Sequence, residues 1–424
     1  MNAHFILYTF VIFVILYLII AATIRFKMQF WYTQPVFHIY NLKYWLKPPG
    51  FINKEPPRVN KFVNLVNNKL ITINTDRDTT TVDNSVTIKQ ICHFIRDYYV
   101  IHPKATYKPT MEDIMAYLEC SNHPSFFNIY QEPRMLFESS NGEDPCSIIP
   151  DQEIVAVASA RVLNICLYPG KGTREKKEKR KISFAAYYVD NLCVKPGYRK
   201  KGIPPQMIQT FYYNVARINK KVNAYMFKRE GKLTAIVPLV YFDTHAFDIR
   251  LFSTDILLNP SMSLIEIGKQ QLNVFVSFIK EQMLYFDCVV LPDVSSILNL
   301  INLEKLLIYG VLSNGELIAA YIFRPLALSV DNHAYGTVEC ITILSKNKKD
   351  QDILIAGFNM SLLKIKSKTA ATTLLLEETA HSQPIIAALN TNYTVLRNYQ
   401  TPTAFYLYNY ACYSLKKNKT LLIY

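Results

Sequence analysis

The longest apolar run in the chain has no polar interruption at all. From Phe5 to Ile24, FILYTFVIFVILYLIIAATI, twenty residues pass without a charge. As a helix this run spans about 30 Å, the depth of one bilayer core. It is too long for the core of a signal peptide, and no small-residue cleavage site follows it. The pattern predicts a retained transmembrane helix. Arg25, Lys27, Lys43 and Lys47 follow it, and only the α-amine precedes it. That asymmetry puts the body of the protein on the cytosolic side.

Residues 25–60 are rich in Trp, Tyr, Phe and Pro and show little periodicity, as an extended arm would. The polar stretch Thr75–Ser85 predicts a surface loop. Val86–Val100 has helical spacing through Ile88, Ile91, Phe94 and Ile95. Thr110 is placed to cap the next helix, with Asp113 three positions on. Glu153–Tyr168 and Ile182–Val194 predict a hairpin with a charged tip at Pro169–Lys181. That tip suits a solvated loop, or a contact with a membrane surface or RNA. Pro204–Ile218 has helical spacing with proline in its first turn. In the second half, Gln351–Lys366 predicts a helix. ELIAAYIFRPLA (Glu316–Ala327) echoes EIVAVASARVLN (Glu153–Asn164), so two similar α/β halves are expected.

Composition narrows the class. Half of the 424 residues are apolar and only 19% are charged, so an ample core is available. The net charge of +14 suits nucleic acid, anionic lipid or a polyanionic small molecule without choosing among them. Eight scattered cysteines, none in a C-x-x-C pair, favour free thiols. The eight histidines form no ligand pattern either, so no metal site is assigned.

VDNLCVKPGYRKKGIPP (Val189–Pro205) is the informative stretch. A strand opens into four cations, then a helix begins. Loop amides and a helix N-terminus attract anions, and Arg199, Lys200 and Lys201 can reach phosphates. Arg199–Pro204 fits in part the R-x-x-G-x-[G/A] pattern of GNAT acyltransferases, with Pro204 where Gly or Ala is usual.

The surroundings extend the likeness. NLCVKPGYRKKGIPP resembles the NFLCVHKKLRSKRVAP signature of eukaryotic N-myristoyltransferases. QFWYTQPV (Gln29–Val36) resembles that family's QFWxTQPVP, and SARVLNI (Ser159–Ile165) its SAIPANI. YYV…YKPTMEDIMAYL resembles NYV…YSPEFLLWAL, and FYLYNYAC (Phe405–Cys412) resembles YYLYNWKC near the chain end. The matches keep the family's order over roughly residues 28–424.

The resemblance implies an α/β (α+β) fold of two fused GNAT-like halves with a central mixed sheet, here preceded by one transmembrane helix. The expected layout is an anchor with its basic flank (1–27), an arm over the acyl-CoA (28–60), an acyl-CoA-binding half (61–225) and a peptide-binding half (226–424). By the resemblance, Gln29, Phe30 and Trp31 cover the acyl-CoA, while Leu192 and Val194 line it. Phe30, Trp31 and Tyr32 also suit an interfacial aromatic belt. Lys200, Gly202, Ile203 and Pro204 match the phosphate loop, beside Arg199 and Lys201. The backbone N–H groups of Asn191 and Leu192 match the oxyanion hole, where Asn191 replaces a family Phe. The terminal carboxylate of Tyr424 matches the catalytic base, with Asp190 the candidate if the terminus is not.

The departures lie on the peptide side. The family's acidic YVEDDD loop is here YVIHPK, so Tyr99, His102 and Lys104 stand there, and Tyr241 falls in a divergent YFDTHAF segment. The resemblance implies transfer of myristoyl from myristoyl-CoA to the N-terminal glycine of proteins. That activity would need no metal, nucleic acid or second subunit. An inactive membrane-anchored acyl-CoA or acyl-protein binder, and acyl transfer to lysine, are the alternatives.

Overall fold

The computed structural model describes residues 3–27, 29–47, 49–73, 82–100, 105–138, 147–169, 178–330, 336–347 and 350–424. Fourteen of the described strands form one mixed sheet that runs through both halves of the body. In the first half, strands Ser125–Glu138, Ser147–Leu167 and Ile182–Val194 pair antiparallel in succession. A crossover helix, Ile203–Ile218, then leads to Ala224–Glu230, which lies parallel to Ile182–Val194. The second half repeats the order. Leu307–Ser313, Glu316–Leu326 and Thr337–Ser345 pair antiparallel, and helix Gln351–Thr369 leads to the parallel strand Thr373–Glu377. The two echoing segments therefore occupy equivalent strands.

Two late segments join the halves. Leu396–Tyr408 lies between Ala224–Glu230 and Val240–Asp248, antiparallel to both. Thr420–Leu422 pairs parallel with Cys288–Leu291, which pairs with the end of Ser147–Leu167. The apolar tail thus returns to the first half and buries Leu421 through Tyr424. Each large apolar side chain buried in this way contributes roughly 1.5–3 kcal/mol.

Local chemistry explains the elements around the cleft. Ile203, Met207, Phe211 and Val215 recur every four residues and are buried along one face of the crossover helix. Gly202 caps that helix with a φ of +76°, which an L side chain resists. At Thr110 the hydroxyl accepts from Asp113 N–H, and the Asp113 carboxylate accepts from Thr110 N–H at 2.7 Å, closing a capping box. The helix expected from residue 86 begins earlier, at Val82, inside the stretch expected to be a loop. Residues 74–81 and most of the charged tip lie outside the described residues.

The expected transmembrane span is not met as stated: among the described residues no helix is long and apolar enough to cross a membrane. What is present is a 25-residue helix, Ala3–Lys27, with exposed apolar side chains from Phe5 to Ile20.

Candidate active site

The site forms where two paired strands stop pairing. Val157 faces Cys193 and Ser159 faces Asp190, so three steps on Ile182–Val194 oppose two on its neighbour. Asn191 absorbs the extra residue in this bulge with a φ of +53°, a conformation asparagine tolerates. Its side-chain amide donates to Ser159 Oγ at 2.8 Å. On the other side, Ile182–Val194 runs beside Ala224–Glu230 only from Ala186↔Ala224 to Val189↔Phe227. Beyond that point a cavity of about 340 Å³ opens, floored by the crossover helix.

Its walls are apolar and aromatic: Trp31, Met207, Phe211, Tyr225, Phe227 and Tyr408 all contribute. The size lies at the low end of ligand sites, about 300–1,000 Å³. The lining suits an extended aliphatic group. The charged residues on the wall are Asp190, Lys228 and Arg229. Asp190 Oδ1 accepts from the Tyr99 hydroxyl at 3.1 Å and from the Asn191 N–H at 2.8 Å. The negative charge of Asp190, followed by burial, pushes the Tyr99 phenol well above its usual pKa.

Behind Lys228 lies a buried ionic cluster. Lys228 Nζ is 2.8 Å from Glu377, 3.2 Å from Glu339 and 2.9 Å from the Tyr424 hydroxyl. That hydroxyl donates to Glu377 at 2.5 Å. Arg324 pairs with Glu339 and donates to a terminal oxygen of Tyr424 at 3.3 Å. Burial opposes charge throughout, and partners decide the outcome. Glu339 and Glu377 outweigh burial at Lys228 and raise its pKa well above normal. Against the same burial, Arg324 and Lys228 hold Glu339 down at about 2. For Glu377 burial prevails and its pKa is raised.

The residues singled out in the sequence divide accordingly. Trp31, Tyr99, Asn191 and Leu192 line the cavity. Phe30 packs edge-on against Trp31 and Phe62, and Gln29 begins the same short helix, exposed. Val194 is buried beside Ile203 and Met207. The basic loop sits at the end of the bulged strand. Arg199 Nε donates to Val194 O at 3.2 Å, and Lys201 Nζ stands 4.5 Å from the Tyr198 ring. Lys200 carries a positive φ of 65°. Pro204 and Pro205 follow Ile203 in the first turn and have no N–H.

Two of the expected residues lie off the cavity wall, and one expected N–H on it is engaged. Tyr424 is buried in the ionic cluster and is not part of the cavity wall. The Asn191 N–H is already taken by Asp190. Tyr241 lies on the exposed face of its strand, because alternation turns its neighbours Val240 and Phe242 inward. His102 and Lys104 lie outside the described residues.

Sequence reading missed Lys228, Arg324, Glu339 and Glu377. Glu339 and Glu377 are each the lone charge of an otherwise apolar strand, and that was the available signal, whereas Lys228 stands beside Arg229 and Glu230 and Arg324 shares its strand with Glu316.

Two strand–strand–helix–strand units joined through one mixed sheet, with a hollow where one parallel pair parts, define a duplicated α/β fold. Its particular form is the N-myristoyltransferase fold. Saccharomyces cerevisiae N-myristoyltransferase with bound myristoyl-CoA matches at a TM-score of 0.64 and 13% identity, over 92% of this chain and 94% of that one. A second structure of the yeast enzyme with bound myristoyl-CoA matches at 0.65 and 13%, over 92% and 89%. A third, with myristoyl-CoA and inhibitors, matches at 0.65 and 13%, over 93% and 94%. No protein-family model and no curated protein matches the sequence.

Proposed function

We propose that the protein is an acyl-CoA-dependent acyltransferase that moves myristoyl from myristoyl-CoA to the N-terminal glycine of proteins. The observation that carries this reading is the apolar cavity beneath the Asn191 bulge, within a fold whose solved examples hold myristoyl-CoA. The acyl chain occupies the cavity, and Arg199, Lys200 and Lys201 meet the CoA phosphates. The thioester carbonyl rests against the bulge, where the Leu192 amide stabilises the oxyanion. The glycine amine attacks, the tetrahedral adduct collapses to an amide, and CoA leaves as the thiolate.

The membrane is the setting of this reaction. The apolar helix Ala3–Lys27 exposes more hydrophobic surface than water tolerates. Its exposed apolar side chains suit contact with a lipid surface. Two residues after it begins the short helix that carries Trp31 to the cavity wall. The active site therefore stands close to the lipid surface.

A second reading is an inactive acyl-CoA or acyl-protein binder. Two observations favour it: Asp190 occupies the Asn191 N–H, and Arg324 holds the chain terminus. Incubating the full chain in detergent with labelled myristoyl-CoA and glycine-initiated peptides separates the readings. Label on the peptide α-amine supports the transferase. Stoichiometric binding without turnover supports the binder, and label on a lysine side chain overturns the glycine assignment.

A further inference from the structure

Asp190 is a partly buried carboxylate on the wall of a mostly apolar cavity. Its hydrogen-bond partners, the Tyr99 hydroxyl and the Asn191 N–H, are both neutral donors. Among the described residues it belongs to no ion pair, although other inward carboxylates do: Glu153, Glu339 and Glu377 each meet a lysine or arginine. Of the cations on the same wall, Arg229 forms no ion pair with Asp190 among the described residues. Lys228 shares the wall but is bound to Glu339 and Glu377. A carboxylate in such surroundings is costly to leave without a cationic partner.

The chain terminus is in the opposite condition. A terminal oxygen of Tyr424 accepts from Arg324, and Tyr424 is 3% exposed. A proton acceptor clamped by a guanidinium is a poor base, and a substrate amine would have to displace that partner.

We infer that Asp190, oriented by Tyr99, is the carboxylate that receives the substrate's terminal ammonium and takes its first proton. The inference rests on the acyltransferase reading. Asp190 is adjacent in sequence to the bulge residue, so the base and the Leu192 oxyanion donor belong to one stretch of backbone. The ammonium N–H bond breaks and an O–H bond forms on Asp190. The freed amine attacks the thioester carbon. As the C–S bond breaks, the second proton passes from nitrogen to the CoA thiolate, and Asp190 returns its proton to water. Tyr99 stays protonated beside the charged carboxylate and holds its orientation. It acts as a positioning residue.

The test uses full-length protein in detergent with a thioether analogue of myristoyl-CoA, and peptide binding read by fluorescence anisotropy. Two glycine-initiated peptides are compared, one with a free amine and one N-acetylated. The wild type should prefer the free amine by roughly 10–100-fold, the worth of a charge-assisted hydrogen bond. Asp190→Asn should abolish this preference while keeping its affinity for the analogue, which also reports that the variant is folded. Tyr99→Phe should reduce the preference without abolishing it, so the inference stays testable if Asp190→Asn fails to fold. Equal binding of both peptides by the wild type, or an undiminished preference in Asp190→Asn, overturns the inference. Failure of the wild type to bind the analogue overturns the acyltransferase reading instead. The anisotropy preference is measured in either case.

Discussion

The two halves of the sheet begin from one plan and end differently. Arg161 faces Tyr188 in the first half, and Arg324 faces Glu339 in the second, at equivalent positions. Each half shifts register nearby, at Asn191 in the first and at Ile341 in the second. In the first half the shift carries a left-handed residue, and the strands part over a hollow. In the second, Ile341 is fully buried and the space is filled. A Cβ on Gly357 of the second crossover helix would meet Tyr321 Oη at 2.4 Å and Val311 Cγ2 at 2.6 Å. The residues one step past the paired segment, Lys228 and Glu377, bond to each other across the halves. Duplication has thus given one open cleft and one closed cleft, with ions from the closed one bracing the open one.

The brace is where the comparison breaks hardest. Lys228→Met leaves Glu339 and Glu377 buried beside an apolar side chain and should cost about 3–5 kcal/mol in denaturant unfolding. Lys228→Met/Glu377→Met should recover part of that. A loss below about 1 kcal/mol would show that the cluster does not hold the halves. The same cluster sets the acid response. Glu339 has a depressed pKa of about 2, so it contributes stability above its unfolded pKa, and that contribution fades as pH falls towards 2. Glu339→Gln should flatten this part of the stability curve.

Filling each cleft gives a smaller and sharper contrast. Gly357→Ala overpacks the closed half and should cost about 1–3 kcal/mol, less the helix gain of up to about 1 kcal/mol. Ile208 also lines the open cavity, and Ile208→Trp should leave stability within about 1 kcal/mol, since space exists to receive the ring. It should also weaken myristoyl-CoA binding by at least about tenfold, or ~1.4 kcal/mol. Equal destabilisation by both changes would mean that the halves are packed alike. The smallest effect is expected at the loop. Neutralising Arg199, Lys200 and Lys201 together should weaken CoA binding and flatten its salt dependence, as measured by calorimetry at two ionic strengths.

Local signals in the sequence carried far. Thr110 and Asp113 announced their capping box, and the echo around Arg161 and Arg324 marked strands that prove equivalent. The basic loop between strand and helix was also legible, because glycine, proline and charge mark such boundaries locally. The ionic cluster was not. Lys228, Arg324, Glu339, Glu377 and Tyr424 come from five segments, and they meet only because Leu396–Tyr408 inserts between strands and the tail returns beside Cys288–Leu291. Nor could spacing tell that Asp190 would take the Asn191 N–H. That contact depends on the bulge, which is a property of two strands together.

The central claim is that the open half alone takes the acyl chain. A myristoyl-CoA bearing a diazirine at the ω-carbon, photolysed with the full chain in detergent, tests it most directly. The account predicts crosslinks in Ile203–Ile218 and Ala224–Glu230, suppressed by excess myristoyl-CoA. Crosslinks concentrated in Gln351–Thr369 and Thr373–Glu377 would contradict it.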